Sequence, residues 1–127
     1  MLATAVPEVV LQDLRTRTSA MAVALLSQDG LVLSADLPAG AYPETFGMMC
    51  ATVAGAAGAA CRELARAPPS RTVIQGEDSI MILVRCGSVG LLAVVLDPNV
   101  EVRAALEVVA QYVELFSSTG AAGRGGS

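Results

Sequence analysis

Histidine and lysine are both missing from this 127-residue chain, and each absence removes a body of chemistry. Without histidine there is no Ser-His-Asp or Cys-His nucleophile, and nearly every familiar zinc site is excluded. Without lysine there is no phosphate-binding P-loop, no Ser-x-x-Lys nucleophile and no Schiff base. Aromatic residues are scarce: Tyr42, Phe46, Tyr112 and Phe116 are all there are, and tryptophan is absent. The net charge of -4 leaves no basic footprint for nucleic acid. The three cysteines, Cys50, Cys61 and Cys86, are odd in number and not in C-x-x-C spacing. That usage indicates a reduced, cytoplasmic setting. Met1 to Val10 has no basic segment of the kind that opens a signal peptide. The longest uncharged apolar run, within Thr45 to Cys61, is at the short limit for a membrane span and mostly Ala, Gly and Thr, so no span is expected. No enzyme, cofactor site or metal site is expected.

What is present centres on Glu44 to Ala67, ETFGMMCATVAGAAGAACRELARA, which opens after Pro43 and stops at Pro68-Pro69. Good helix formers fill it, while Gly47, Gly55 and Gly58 oppose a helix by about 1 kcal/mol each. On a helical wheel Phe46, Met49, Val53, Ala57, Ala60 and Leu64 carry the bulk, and this side is expected to rest on a sheet. Gly47, Cys50, Ala51, Ala54, Gly58, Cys61 and Ala65 form an adjacent stripe of small residues. Small residues at this spacing let another backbone come close. The stripe is read as a contact with the same helix of a second subunit, against the alternative that the chain's own loops cover it. Cys50 and Cys61 are too far apart to bridge within one helix. They could meet across an antiparallel helix pair, but buried free thiols are the plainer reading. Met48, Thr52, Gly55, Ala59, Glu63 and Arg66 form the third, most exposed stripe, with Arg62 beside it.

Thr4 to about Arg17 reads as a first helix, with Val10, Leu11 and Leu14 on its apolar side and Asp13, Arg15 and Arg17 solvated. Ala20 to Ser27 and Leu31 to Ala35 are strands joined through Asp29-Gly30, a hairpin signal. Asp36 to Pro43 is a loop. Arg71 to Gln75 is a third strand, less apolar than its neighbours and suited to an edge. The turn after it carries Glu77 and Asp78; adjacent acids on a tight turn are read as solvated rather than as a cation site. Ser79 to Arg85 and Val89 to Leu96 are nearly continuous apolar strands, which calls for cover on both sheet faces. Asp97-Pro98 reads as a helix start, N-cap acid then Pro. Val102, Leu106, Val109, Val113 and Phe116 form the apolar stripe of the last helix, which is expected to run to about Ser117.

The expected fold is α+β: α-β-β-α-β-β-β-α, with one five-stranded antiparallel sheet, the central helix on one face and the terminal helices on the other. Residues 1–117 form the single domain. Residues 118–127 (STGAAGRGGS) form a flexible glycine-rich tail by composition, in which Arg124 is incidental. An edge strand at Arg71 to Gln75 invites pairing with another chain. Because it follows the small-striped helix, one two-fold axis can pair both strands and both helices, with Thr72 and Ile74 at the seam.

This order resembles the Roadblock / dynein light chain family, which includes the bacterial MglB-type regulators of Ras-like GTPases and is related in architecture to profilin and longin domains. The resemblance covers about residues 5 to 117. It lies in AMAVALLSQDGLVLSAD at the first hairpin, the small-residue helix, and TVIQGEDSIMILVRCGSVGLLAVVLDPNVEVRAALE, including Leu96-Asp97-Pro98-Asn99 before the last helix. It implies a homodimer with a continuous sheet, central helices side by side, and binding to a small Ras-like GTPase whose hydrolysis or localisation is modulated. The family brings no catalytic motif of its own.

The expected partner surface is the exposed helix stripe, doubled by symmetry: Met48, Thr52, Gly55, Ala59, Arg62, Glu63 and Arg66. The plainer reading of Arg62, Glu63 and Arg66 is a solvated face with a local charge pair. Arg62, Arg66 and Arg71 are the only candidates near this surface for an arginine finger. The alternative function is a small-molecule or signal-sensing domain; the shortage of aromatics and of convergent polar groups opposes it.

Overall fold

The computed structural model describes residues 8–88 and 90–125, with side chains described as far as Ser118. The order is α1 (Glu8–Thr18), β1 (Ala20–Leu26), β2 (Val32–Asp36), α2 (Pro43–Glu63), β3 (Arg71–Gln75), β4 (Ile80–Cys86), β5 (Gly90–Leu96) and α3 (Val102–Gly125). The expected start of the first helix, Thr4 to Pro7, lies outside the described residues, as does Val89. The five strands form one sheet in the order β2-β1-β5-β4-β3, with every neighbouring pair antiparallel. The fold is the α-β-β-α-β-β-β-α arrangement expected from the sequence.

The most apolar strands lie in the middle. All seven residues of β5 are buried, because it has a strand on each side and helices on both faces. One face carries the larger core: Val23, Leu25, Ile80, Ile82, Leu92, Val94 and Leu96 meet Leu11 and Leu14 of α1 and Val109, Tyr112 and Phe116 of α3. On the other face Ala24, Leu26, Leu83, Leu91 and Ala93 meet Cys50, with Phe46, Val53 and Ala54 of α2 packed around them. The alternation of strand side chains thus serves two cores of different bulk. The sheet residues beneath α2 include two alanines, so α2 can sit low.

The hairpin between β1 and β2 closes through Ser27. Its amide donates to the Leu31 carbonyl at 2.8 Å, and its hydroxyl accepts from the Leu31 amide at 3.0 Å. Gly30 takes a φ of +92°, which glycine tolerates without a Cβ penalty. Gly90 is required on spatial grounds, since a Cβ there would lie 1.9 Å from the Leu26 carbonyl oxygen.

Three boundaries differ from expectation. α2 ends at Glu63, before Pro68-Pro69. The Arg66 amide donates to the Cys61 carbonyl and the Ala65 amide to the Arg62 carbonyl, both at 2.9 Å, with Ala65 at φ +58°. That is the Schellman pattern, in which a left-handed residue satisfies the last carbonyls. Asp97-Pro98 does not start α3. The Asp97 carboxylate accepts from the Asn99 amide at 3.0 Å and its carbonyl accepts from Val100, making a turn, and Glu101 caps the helix by accepting from the Arg103 amide at 2.8 Å. α3 also continues past Ser117 to Gly125, so the helix crosses the expected start of the glycine-rich tail. Ser118 to Ala122 contains no proline and only one glycine, and each residue added to an existing helix gains a hydrogen bond.

Asp13, Arg15 and Arg17 are not merely solvated. Arg15 forms an ion pair with Asp36 at 2.9 Å, which ties α1 to β2. Arg17 donates to the Tyr112 hydroxyl at 3.2 Å and to the Gln111 side-chain oxygen at 3.1 Å, and its guanidinium lies 5.5 Å from the Tyr112 ring centre. Tyr112 donates to Asp13. Burial, first, and then the Asp13 carboxylate raise the Tyr112 pKa. The α3 stripe is centred on Ala105, Val109, Tyr112 and Phe116, with Val102, Leu106 and Val113 at its margin.

Candidate functional site

α2 is turned differently on the sheet from the orientation its bulky residues suggest. The small stripe faces inward. Gly47, Cys50 and Gly58 are buried, and Ala51, Ala54 and Cys61 are half-buried, within a single subunit. A Cβ on Gly47 would lie 2.7 Å from the Gly30 carbonyl oxygen and 3.1 Å from Leu26. Ala51 packs beside Gly30, and Gly58 lies beside Arg62 and Pro68. The sequence reading gives these residues to a second subunit's helix. In the structure the chain's own hairpin and sheet cover Gly47 and Cys50 and Pro68 lies beside Gly58, while Ala51, Ala54 and Cys61 stay half-buried and Ala65, the last of the set, is exposed in the helix cap. The reason is distance: small side chains let the helix backbone come down onto the Gly30 turn.

Of the bulky side, Phe46 and Val53 pack on the sheet as expected, while Met49 (54% exposed) and Leu64 (74%) are in solvent beside Met48 (56%). Thr52, Gly55, Ala56, Ala59 and Ala60 complete an outer face that is apolar or small. Thr52 donates its hydroxyl to the Met48 carbonyl at 2.8 Å, so it presents mainly its methyl group. A Cβ built on Gly55 would meet nothing within 4 Å. Arg62, Glu63 and Arg66 form the exposed charged end. All seven residues expected to meet a partner are therefore exposed. Met49, Ala56 and Ala60 extend that face beyond the residues the sequence singles out. Their signal was the wheel itself, read about a sixth of a turn off.

β3 forms one edge of the sheet and pairs only with β4. Thr72 is half-buried, while Val73 and Ile74 are 44% and 41% exposed. Between this edge and α2 lies a cleft of about 190 Å³, whose lining includes Ala51, Ala54, Gly55, Thr72, Leu83 and Arg85. Gly55 and Thr72 share it, so that flank of α2 turns toward the β3 edge.

The thiols are quiet. Burial pushes Cys50 up to about 11 and Cys86 up to about 12, so neither is a thiolate near neutral pH. All three cysteines are free. Among the described residues no three His, Cys, Asp or Glu side chains gather as metal ligands, Glu77 and Asp78 included. Among the same residues no helix is long and apolar enough to cross a membrane.

What this arrangement offers is a helix face and a strand edge, both open and adjoining. The Roadblock/LC7 domain family model matches residues 7–96, and the chain belongs to that family. Several solved structures share the fold, among them these three. MglB from Thermus thermophilus, described as a gliding protein, is 23% identical, with 87% of this chain and 85% of that one covered and a TM-score of 0.77. Myxococcus xanthus MglB is 14% identical, with 87% and 91% covered and a TM-score of 0.82. A Roadblock/LC7 domain from Streptomyces avermitilis is 17% identical, with 85% and 92% covered and a TM-score of 0.78. A sequence comparison with curated proteins finds no match.

Proposed function

We propose that this chain is a non-catalytic, homodimeric regulator or scaffold of a small Ras-like GTPase, acting in the cytoplasm. The observation that carries the reading is the apolar outer face of α2 beside an unpaired β3 edge, in a chain of the Roadblock/LC7 family. Exposed apolar surface of this extent, rimmed by charge, is characteristic of an interaction site. A bare, partly apolar edge strand is ordinarily covered or paired.

Two copies joined antiparallel through β3 form one sheet of doubled width. The Gly55 flank of each α2 then faces the seam, and a glycine with open space before it lets a twin helix approach. The remaining outer residues, Met48, Thr52, Ala59, Arg62, Glu63 and Arg66, stand twice on one broad surface for the GTPase. Methionine suits such a surface because its side chain adapts to the partner.

The test is binding of purified Ras-like GTPases from the same genome, loaded with GDP or with a non-hydrolysed GTP analogue. One of them is expected to bind, and Met48→Glu is expected to weaken binding at least tenfold. No binding in either nucleotide state would contradict the proposal. A GTP-hydrolysis assay with Arg62→Ala, Arg66→Ala and Arg71→Ala addresses the arginine-finger idea, and unchanged rates would remove it.

The 190 Å³ cleft supports a second reading, a small-molecule sensor, because Arg85 and Thr72 share its lining with Leu83 and Leu91. Thermal shifts with nucleotides and small carboxylates separate the two readings.

A further inference from the structure

The β3 edge has its charges sorted by end. At the start of the strand stand Arg71 and Arg85; the Arg85 amide donates to the Ser70 carbonyl at 3.0 Å, so Arg85 is level with residue 70. Beyond the other end the β3–β4 turn, closed by the Gly76 amide donating to the Ser79 carbonyl at 2.8 Å, carries Glu77 and Asp78. All four side chains are exposed. Among the described residues the single ion pair is Arg15–Asp36, so none of these four is paired with another of those residues. Between the two charged ends the strand offers Val73 and Ile74, both partly exposed.

We infer that this edge is a self-complementary seam, in which Arg71 and Arg85 of one copy engage the partner's Glu77 and Asp78 at both ends of an antiparallel β3–β3 pair. The inference rests on the homodimer proposed above and adds what sets its direction and register. A two-fold axis near Val73 lays the start of one strand against the end of the other. Cations then meet carboxylates twice, whereas a parallel pairing would set arginine against arginine. Arg85 lies one strand inward, so with strands about 4.8 Å apart it is roughly 10 Å from the partner strand. An extended arginine and a facing carboxylate can close that gap together. Arg71 also shares a groove with Glu101, the cap of α3, and with Glu107 of α3, whereas the residues lining the cleft beside Arg85 include no acid. Arg85 therefore has the less contested role. Opposite charges across an interface select orientation and exclude wrong pairings more than they add affinity.

The experiment uses two full-length variants and sedimentation equilibrium. One carries Arg71→Glu and Arg85→Glu, so both ends of its edge are acidic. The other carries Glu77→Arg and Asp78→Arg, so both ends are basic. Each alone is expected to dimerise on the order of 100-fold more weakly than the native chain, because like charges then meet at both ends. An equimolar mixture is expected to recover dimer to within about tenfold of native affinity, since acid again meets base at each end. Unfolding curves matching the native chain establish that each variant is folded.

A second arm replaces Arg85 and Glu77 by glutamine, which is expected to flatten the fall in dimer affinity with added salt. Either charge-reversed variant dimerising as tightly as the native chain would overturn the seam. So would a mixture of folded variants that stays monomeric while the native chain dimerises. A native chain that is itself monomeric at every concentration would instead overturn the homodimer, and is read separately from the variants.

Discussion

Gly30 and Gly47 meet so closely that a Cβ at Gly47 would clash with backbone and one at Gly30 would be crowded. A Cβ on Gly47 would lie 2.7 Å from the Gly30 carbonyl oxygen, and a Cβ on Gly30 would lie 3.3 Å from the Gly47 carbonyl oxygen. This contact joins the first hairpin to α2 and sets how low the helix lies on the sheet. The obstructing atom is backbone, which cannot rotate aside. Gly47→Ala is therefore expected to destabilise the fold by about 1–3 kcal/mol, even though alanine is the better helix former. Urea unfolding checks it; a stabilised variant would mean that the helix does not rest on that turn.

Gly55 is the opposite case. It lies mid-helix with nothing within 4 Å of its would-be Cβ. In an isolated subunit Gly55→Ala should stabilise by up to about 1 kcal/mol. If a twin helix approaches this flank, Gly55→Leu should leave the subunit folded and weaken dimerisation at least tenfold. Paired unfolding and dimerisation measurements separate the two effects.

Ala65 holds a left-handed conformation, φ +58°, in the cap of α2. An L residue with a side chain is strained there by about 1–2 kcal/mol, partly offset because glycine loses more freedom on folding. Ala65→Gly is expected to stabilise by roughly 0.5–1 kcal/mol, read as a rise in Tm.

The thiols give a pH prediction. Burial holds Cys50 at about 11 and Cys86 at about 12, against an ordinary 9.0. Their raised values favour the folded state fully below pH 9. That contribution is lost as pH climbs from 9 through about 11 to 12, because the unfolded thiols ionise first. At pH 8 a disulfide reagent is expected to modify half-buried Cys61 quickly, and Cys50 and Cys86 only on unfolding. Three equally fast thiols in the native state would contradict the burial of both cores.

Much of the fold was legible because its signals are local and strong. Apolar runs at β4 and β5 demanded cover on both faces, and Asp29-Gly30 marked the hairpin that forms. Arg71 to Gln75 read as an edge strand because it is less apolar, and it is one. The rotation of α2 was not legible. A wheel ranks faces by bulk, but this helix is held close by smallness, and only the Gly30 turn, distant in sequence, reveals that. The start of α3 is not legible because Asp97-Pro98 suits a turn as well as a cap. Nor is Tyr112 legible as the centre of a polar network, because its partners, Asp13 and Arg17, lie about a hundred residues away in the chain. The exposed stripe from Met48 to Arg66 was legible as exposed, since its charged end identified it.

The central claim is that the β3 edge is not free in solution. Hydrogen–deuterium exchange of the β3 amides, followed as protein concentration is raised, tests it most directly. The account expects the outward-facing amides of Arg71–Gln75 to slow markedly with concentration, in step with a particle of twice 12.9 kDa. Fast exchange of those amides at every concentration, from a well-folded particle of 12.9 kDa, would contradict it.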